Sequence, residues 1–225
     1  MNTSIARKIV MALTGFFLIT FLIVHLLVNS FSVYSAELFN KGSHFMATNP
    51  LIQIMQYALA AGFIIHIGLG LKLTMQNRKA RGVNYAKTNS AANSTLASRS
   101  MIITGLLVLL FIILHMTDFF WNVKFGDLEH VQYLDAHGVL SDPMQNDYSL
   151  MEATFSKPLY VFAYVGSFIL LAVHLSHGFA SAFQTMGVNH SKWNGLIKTT
   201  SYVFCTVIGV GFSVIALFHY FNSCC

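Results

Sequence analysis

Charge is the first scarcity. Only 9% of the 225 residues are Asp, Glu, Lys or Arg, against 55% hydrophobic, where a soluble domain is about a quarter charged. That deficit excludes an ordinary water-soluble fold and sets aside the usual scaling of length to domain number. Proline is rare too. Two of the three, Pro50 and Pro158, stand just before apolar runs, where a missing N–H costs little. Three cysteines, Cys205, Cys224 and Cys225, form neither C-x-x-C-H nor C-x-x-C. This excludes the usual covalent haem attachment and the spacings of iron–sulfur clusters. Vicinal Cys224 and Cys225 read as a tolerated, frayed terminus. No glycine-rich phosphate loop or dinucleotide fingerprint is present, so a flavin or nucleotide site has to lie on another chain. The start "MNTSIARKIV" is basic, but no small-residue cleavage site follows a short apolar core. It reads as a retained first helix, not a signal peptide.

What the chain has is long apolar runs. A spanning helix needs about 20 mostly apolar residues, and five stretches qualify: 9–31, 51–75, 99–121, 159–185 and 201–221. Their centres contain no Asp, Glu, Lys or Arg. The expected fold is an all-α integral membrane protein, a five-helix transmembrane bundle forming one domain over residues 1–225. "NRKARGVNYAKTNSAANSTLAS" is polar, basic and small-residue-rich, hence a surface loop. The connection 122–158 is long and acidic. No soluble domain and no internal repeat is expected.

Orientation follows from charge. Arg7, Lys8, Lys72, Arg78, Lys79, Arg81, Lys87, Arg99, Lys192 and Lys198 fall at the N-terminus or on its side of the spans, ten of the 13 basic residues. Lys41, Lys124 and Lys157 fall on the other side. So do all 8 acids: Glu37, Asp118, Asp127, Glu129, Asp135, Asp142, Asp147 and Glu152. The positive-inside rule places the N-terminus in the cytoplasm and the C-terminus outside. The net charge of +5 therefore reads as topology rather than nucleic-acid binding. Trp121, Tyr34, Tyr160 and Tyr202 lie near span ends and suit the interfacial aromatic belts.

Against that apolar background, "GFFLITFLIVHLLVN" carries His25. An ionisable side chain inside a span is costly and is a functional hypothesis by default. The next three spans carry His66, His115, and His174 with His177; the fifth has only His219 near its outer end. A single such histidine is more often a polar group bonded to a neighbouring helix. One in each of four successive spans is harder to dismiss. At about 1.5 Å rise per residue, His25 lies ~25 Å beyond Lys8 and His115 ~24 Å beyond Arg99, whereas His66 lies ~9 Å before Lys72 and His174 ~16 Å before Thr185. The four fall into an outer pair, His25 with His115, and an inner pair, His66 with His174. Two pairs of opposed imidazoles at two depths suit two six-coordinate haems held noncovalently in a bundle core.

Gly62 and Gly70 share the face of His66, and Gly166 and Gly178 that of His174, leaving room for a flat macrocycle or for close helix packing. His177 rivals His174: at ~12 Å from Thr185 it matches the depth of His66 slightly better. The glycine placement favours His174, and His177 is then free to reach a haem propionate. Zinc or copper transport would bring Cys, Met or carboxylates into one cluster. Here the pairs are separated by depth, no membrane carboxylate joins them, and the 10 Met are scattered as core filler.

On these residues the chain resembles the cytochrome b membrane subunit of succinate dehydrogenase and fumarate reductase, in the single-subunit, five-helix, di-haem form. The resemblance covers essentially the whole chain. "HLLVN" looks like the first-helix ligand segment, and "HIGLGLKLTMQNRKARG" like the second-helix end and basic loop of Bacteroidetes-type members. "LHMTDFFW" and "HLSHGF" fall where the third and fourth ligands are expected. The resemblance also selects His174 over His177.

The resemblance implies a mechanism. A flavoprotein subunit with FAD interconverts succinate and fumarate, and an iron–sulfur subunit docks on the basic cytoplasmic face. The inner haem, on His66 and His174, exchanges electrons with it; the outer haem, on His25 and His115, sits nearer a quinone site, with menaquinone the expected quinone. The setting is a bacterial inner membrane, and a higher oligomer of the complex is allowed. Quinone chemistry needs a proton donor or acceptor at the ring; the outer-side candidates are Glu37, His44, Gln53 and Asp118, with Glu37 first because it follows span one. Arg7, Lys8, Lys72 and His177 are candidate propionate partners. Some family members carry a glutamate two residues before the fourth ligand as a proton carrier. Ala172 stands there, which puts that pathway in doubt. The other readings are a di-haem cytochrome b of another respiratory dehydrogenase or hydrogenase, and a haem-free permease.

Overall fold

The computed structural model describes residues 4–80, 96–135, 137–188 and 190–224. Arg81, Lys87 and Cys225 lie outside the described residues, as do the side chains of Arg78, Arg99 and Cys224. The elements are α1 (Ser4–Tyr34), α2 (Ala36–Thr48), α3 (Pro50–Ala80) and α4 (Leu96–His115). A π-helical turn (Met116–Phe120) runs on into α5 (Trp121–Phe125). A short antiparallel ribbon follows, β1 (His130–Val131) with β2 (Met144–Gln145), then α6 (Asp147–Phe155), α7 (Pro158–Thr185) and α8 (Ser191–Cys224).

Among the described residues, five helices are long and apolar enough to cross a membrane: Ile5–Tyr34, Pro50–Asn77, Ser100–Phe125, Pro158–Thr185 and Ser191–Ser223. They define a multi-pass membrane protein. Large apolar side chains project outward along them, Ile64, Leu110, Phe162 and Val210 among them. Such a surface is a liability in water and the normal one in lipid.

The spans outrun their sequence-based bounds, most of all the fifth, which starts at Ser191 rather than near 201. Polar first turns such as "SKWNGLIK" dilute the apolar signal without breaking the helix. The connections hold more structure than expected. Residues 32–50 carry α2, whose first turn is capped by the Ser35 hydroxyl accepting from Leu38 N at 3.0 Å. The segment 122–158 carries the ribbon and α6, with Asn146 as N-cap.

These pieces form a cap at one end of the bundle, knit by Asn40, which is fully buried. Its amide donates to Tyr133 Oη at 2.9 Å and Asn146 Oδ1 at 3.0 Å, and its carbonyl accepts from Tyr148 N at 2.9 Å. The other end carries the N-terminus of α1 and most of the lysines; we call it the basic end.

Within the bundle α1 packs on α3 and α4 on α7, while α3 and α4 touch only lightly. The most extensive contact joins α7 to α8, through Tyr164, Phe168, Ile208, Phe212 and neighbours. Gly209 makes that approach close: a Cβ there would lie 3.0 Å from Ala172 Cβ. A small residue in a membrane helix contact lets the backbones near each other.

Candidate functional site

The outer histidines meet. The His25 ring on α1 and the His115 ring on α4 have centroids 5.7 Å apart with planes at 86°. Imidazole nitrogen bonds metal at about 2 Å, so His25 and His115 are a pair that could hold a metal group. Aromatic rings enclose the pair: Phe21 and Phe212 against His25, Phe111 and Phe119 against His115. Tyr164, 6.3 Å from His115, donates through its hydroxyl to Asp118 Oδ2 at 2.8 Å. Asp118 sits in the π-helical turn that begins one residue after His115. An extra residue in a turn re-aims the side chains beyond it, a distortion common at functional sites. Among the described residues, His115 Nδ1 is buried with no hydrogen-bond partner, and His25 Nδ1 has the Asn29 amide at 3.5 Å.

The inner histidines are held alike, each from the helix beside it. Thr14 Oγ1 on α1 lies 3.3 Å from His66 Nδ1 on α3, and Thr104 Oγ1 on α4 lies 3.3 Å from His174 Nδ1 on α7. The Thr14 hydroxyl faces the carbonyls of Val10 and Met11, and the Thr104 hydroxyl those of Ser100 and Met101. Once each proton is committed to a carbonyl, the hydroxyl oxygen can only accept from the ring. In that arrangement Nδ1 would carry the proton and Nε2 the free lone pair. That is the tautomer of a metal-ligating histidine, whose other N–H is given to a carbonyl or other acceptor. Among the described residues no ring contact joins His66 to His174, and the inner pair is marked by its matching threonines instead. Thr14 precedes His25 by eleven residues, and Thr104 precedes His115 by the same eleven. The two layers are thus roughly 16 Å apart along the helices.

These contacts expose an internal repeat, contrary to expectation. M-x-x-T-G-x5-F-x3-H occurs as Met11–His25 and again as Met101–His115. P-L-x14-H-x3-G-x5-Q occurs as Pro50–Gln76 and again as Pro158–Gln184. Equivalent positions touch equivalently. A Cβ on Gly70 would meet Met11 Cε at 3.5 Å, and one on Gly178 would meet Met101 Cε at 3.8 Å. A Cβ on Gly15 would meet His66 Cε1 at 3.7 Å, and one on Gly105 would meet His174 Cε1 at 3.3 Å. The units α1 with α3 and α4 with α7 form a parallel repeat, as in transporters built from two like halves, and α8 stands outside it. Each histidine layer takes one residue from each unit.

Other expectations change. Gly62 lies against Phe17, and Gly70 and Gly178 against methionines, so these glycines serve helix packing. The glycines beside the imidazoles are Gly15 and Gly105, which the sequence reading missed. At the basic end, Arg7 Nη1 donates to Gln76 Oε1 at 2.6 Å. Lys8 lines a cleft of about 310 Å³ with Gln184, the repeat equivalent of Gln76. Lys72 is exposed.

At the capped end the four proton-handling candidates stay apart: among the described residues no hydrogen bond or ion pair joins any two of them. Glu37 forms a surface pair with Lys41 at 2.6 Å. Gln53 ties α3 to α2 through the carbonyls of Met46 and Ala47, and accepts from Lys124. Asp118 holds Tyr164. His44 lines a cleft of about 220 Å³ with Ala47, Thr48, His130, Met144 and Asp147. Asp147, also missed, is only 7% exposed; its Oδ2 accepts from the Ser43 hydroxyl, and its Oδ1 is buried without a partner. Burial pushes its carboxyl above the usual carboxylate range, opposed by the Ser43 hydrogen bond and the charge of His44.

The chain matches no known protein-family pattern, no curated protein and no solved structure.

Proposed function

We propose that this chain is the di-haem cytochrome b subunit of a succinate:quinone oxidoreductase, the membrane partner of a flavoprotein and an iron–sulfur protein. The observation that carries the haem reading is the paired arrangement: four half-buried imidazoles on four spans, the outer two in ring contact and the inner two each with Nδ1 beside a threonine hydroxyl. His66 and His174 would hold the inner haem, and His25 and His115 the outer. Bound there, the haems supply one-electron relay across the apolar interior. The protein would supply the imidazole nitrogens that hold them, fix those rings and keep water out with a wall of phenylalanines. The quinone and the succinate partner rest on the family resemblance, with the succinate site on another chain.

The charge pattern supports an N-terminus in the cytoplasm and a basic end facing the iron–sulfur partner in a bacterial inner membrane. Ala172 stands against Gly209 of α8 and carries no titratable group, so this chain does not have the glutamate route of some family members.

The test is a reduced-minus-oxidised spectrum of purified chain with haem counted per polypeptide, and identification of co-purifying subunits. Two b-type haems per chain, with one lost on substituting His66 or His174 and the other on substituting His25 or His115, are expected. Full haem retention in all four variants overturns the ligand assignment. Co-purification of a hydrogenase in place of a flavoprotein overturns the succinate assignment.

A further inference from the structure

The connection between the third and fourth spans carries a surface that the histidine layers do not use. From Gly126 to Ser156 it holds Asp127, Glu129, Asp135, Asp142, Asp147 and Glu152, and not one Lys or Arg. Asp127, Glu129, Asp135 and Asp142 are exposed, and among the described residues none of these four is in an ion pair. The three lysines of the capped side are engaged elsewhere: Lys41 with Glu37, Lys124 with Gln53, and Lys157 over the ring of Tyr160. The negative field of this segment is therefore left without a counterweight among the described side chains.

Within that field stands a hairpin with an apolar tip. Leu134 and Leu140 face each other across an antiparallel bridge. The flanking bonds run from Ser141 N to Tyr133 O and from Asp135 N to Val139 O, both at 2.8 Å. That makes the two leucines a non-hydrogen-bonded pair, the kind whose side chains lie closest. Leu134, Val139 and Leu140 are each more than half exposed. The turn beyond them is set by Gly138, at φ +76°, and by Asp135, whose Oδ1 accepts from His137 N and Val139 N, both at 2.8 Å. Below it, Tyr133 Oη accepts from the buried Asn40 amide at 2.9 Å and pins the hairpin to the cap. Single exposed aliphatic residues are ordinary, but adjoining ones on a formed loop outside the spans mark an interaction site. A loop already in shape also loses little entropy on binding.

Charge selects the occupant. A second copy of this chain would bring the same acids face to face, because a two-fold contact sets like against like. A phospholipid surface offers phosphates, and the segment has no lysine or arginine to meet them. A cationic protein surface answers both the apolar tip and its acidic flanks. We propose that the hairpin docks a basic, water-soluble protein of the capped-side compartment. Leu134, Val139 and Leu140 enter an apolar recess at the centre of the contact. Asp127, Glu129, Asp135 and Asp142 meet lysines and arginines around its rim. The docking surface works whatever the histidine layers hold.

The test places the photocrosslinker p-benzoylphenylalanine at Leu140 or Val139 of the full chain in its own membrane, with the exposed Phe162 of α7 as control. Both hairpin positions should give one adduct, to a protein rich in Lys and Arg, and Phe162 should not. That protein, identified and purified, should bind the full chain in nanodiscs at least about tenfold more weakly at high salt than at low salt. Leu140→Asp should speed its dissociation by about tenfold or more, and Val139→Asp repeats the test at a second exposed position. Asp127→Asn combined with Glu129→Gln and Asp142→Asn should slow association and flatten the salt dependence. The proposal is overturned by the absence of a hairpin adduct, by the same adduct from Phe162, or by adducts only to lipid or to a second copy of this chain. It is overturned equally by a partner without net positive charge, or by a purified partner that does not bind or binds alike at every salt concentration.

Discussion

Thr14 and Thr104 stand ninety residues apart and make the same contact, each with its hydroxyl oxygen 3.3 Å from Nδ1 of a histidine on the following long helix. Each is also followed by the glycine that lies against that same ring. The pairing gives each inner imidazole a close hydroxyl partner, which the outer layer lacks: there Asn29 is 3.5 Å from His25 and, among the described residues, nothing bonds His115 Nδ1.

On the proposed di-haem reading, Thr14→Val and Thr104→Val each remove a partner from the Nδ1 of a haem-holding histidine. The imidazole becomes a poorer electron donor, so the midpoint potential of the inner haem should rise, and metal-site affinity should fall by about 10- to 100-fold. Thr→Ser should restore both. Redox titration of the haem absorbance, with the outer haem as internal control, reads the change. An unaltered inner potential in both valine variants would dismiss the clamp.

The two glycines should respond differently. A methyl group at Gly105 would stand 3.3 Å from His174 Cε1, while one at Gly15 has 3.7 Å to His66. Gly105→Ala should displace the His174 ring and alter the low-spin haem resonance. Gly15→Ala should leave it in place. Electron paramagnetic resonance of the oxidised protein separates the two cases.

Asn40→Leu should loosen the cap. It breaks three hydrogen bonds and strands Tyr148 N in a buried setting, at a cost of about 2–3 kcal/mol. Limited proteolysis should then cut within 126–146 before the spans unfold. Resistance equal to the parent's would show that the ribbon is held by other contacts.

Asp147 sets a pH dependence. Its folded-state pKa is raised by burial, so ionising it opposes folding. The cap is firmest below the ordinary carboxylate pKa of about 4 and loses stability as pH rises through the raised value. Ser43, His44 and, across the cleft, His130 are the groups that face it. Asp147→Asn removes the ionisation. Its melting temperature should match the parent's near pH 4 and exceed it at pH 7. A gap that does not change with pH would place the effect elsewhere.

The membrane spans were legible because hydrocarbon enforces long apolar runs, and the histidines were legible because such runs make a polar residue conspicuous. The partners of those histidines were not. A threonine in a span is common, and its meaning depends on which helix lies beside it. The repeat was hidden for a different reason. Its first helices are related by a shift of 90 residues and its second by 108, because the capped-end connection of the later unit is 18 residues longer (108 − 90). No single period runs through the chain. Asp147 was passed over because a carboxylate in a polar, acidic loop reads as solvated; only the packing of α2 against α6 buries it. Gln53 and Glu37 were drawn in by position alone, and their side chains are committed to a helix junction and a surface ion pair.

Because every histidine layer draws one member from each repeat unit, neither unit is a working piece by itself. Severing the polypeptide between residues 80 and 96 and producing the two fragments together should yield an interlocked heterodimer that assembles only as both bind the same prosthetic groups. Separately made, the first fragment would carry two greasy spans and the second three, each holding only one imidazole of every pair.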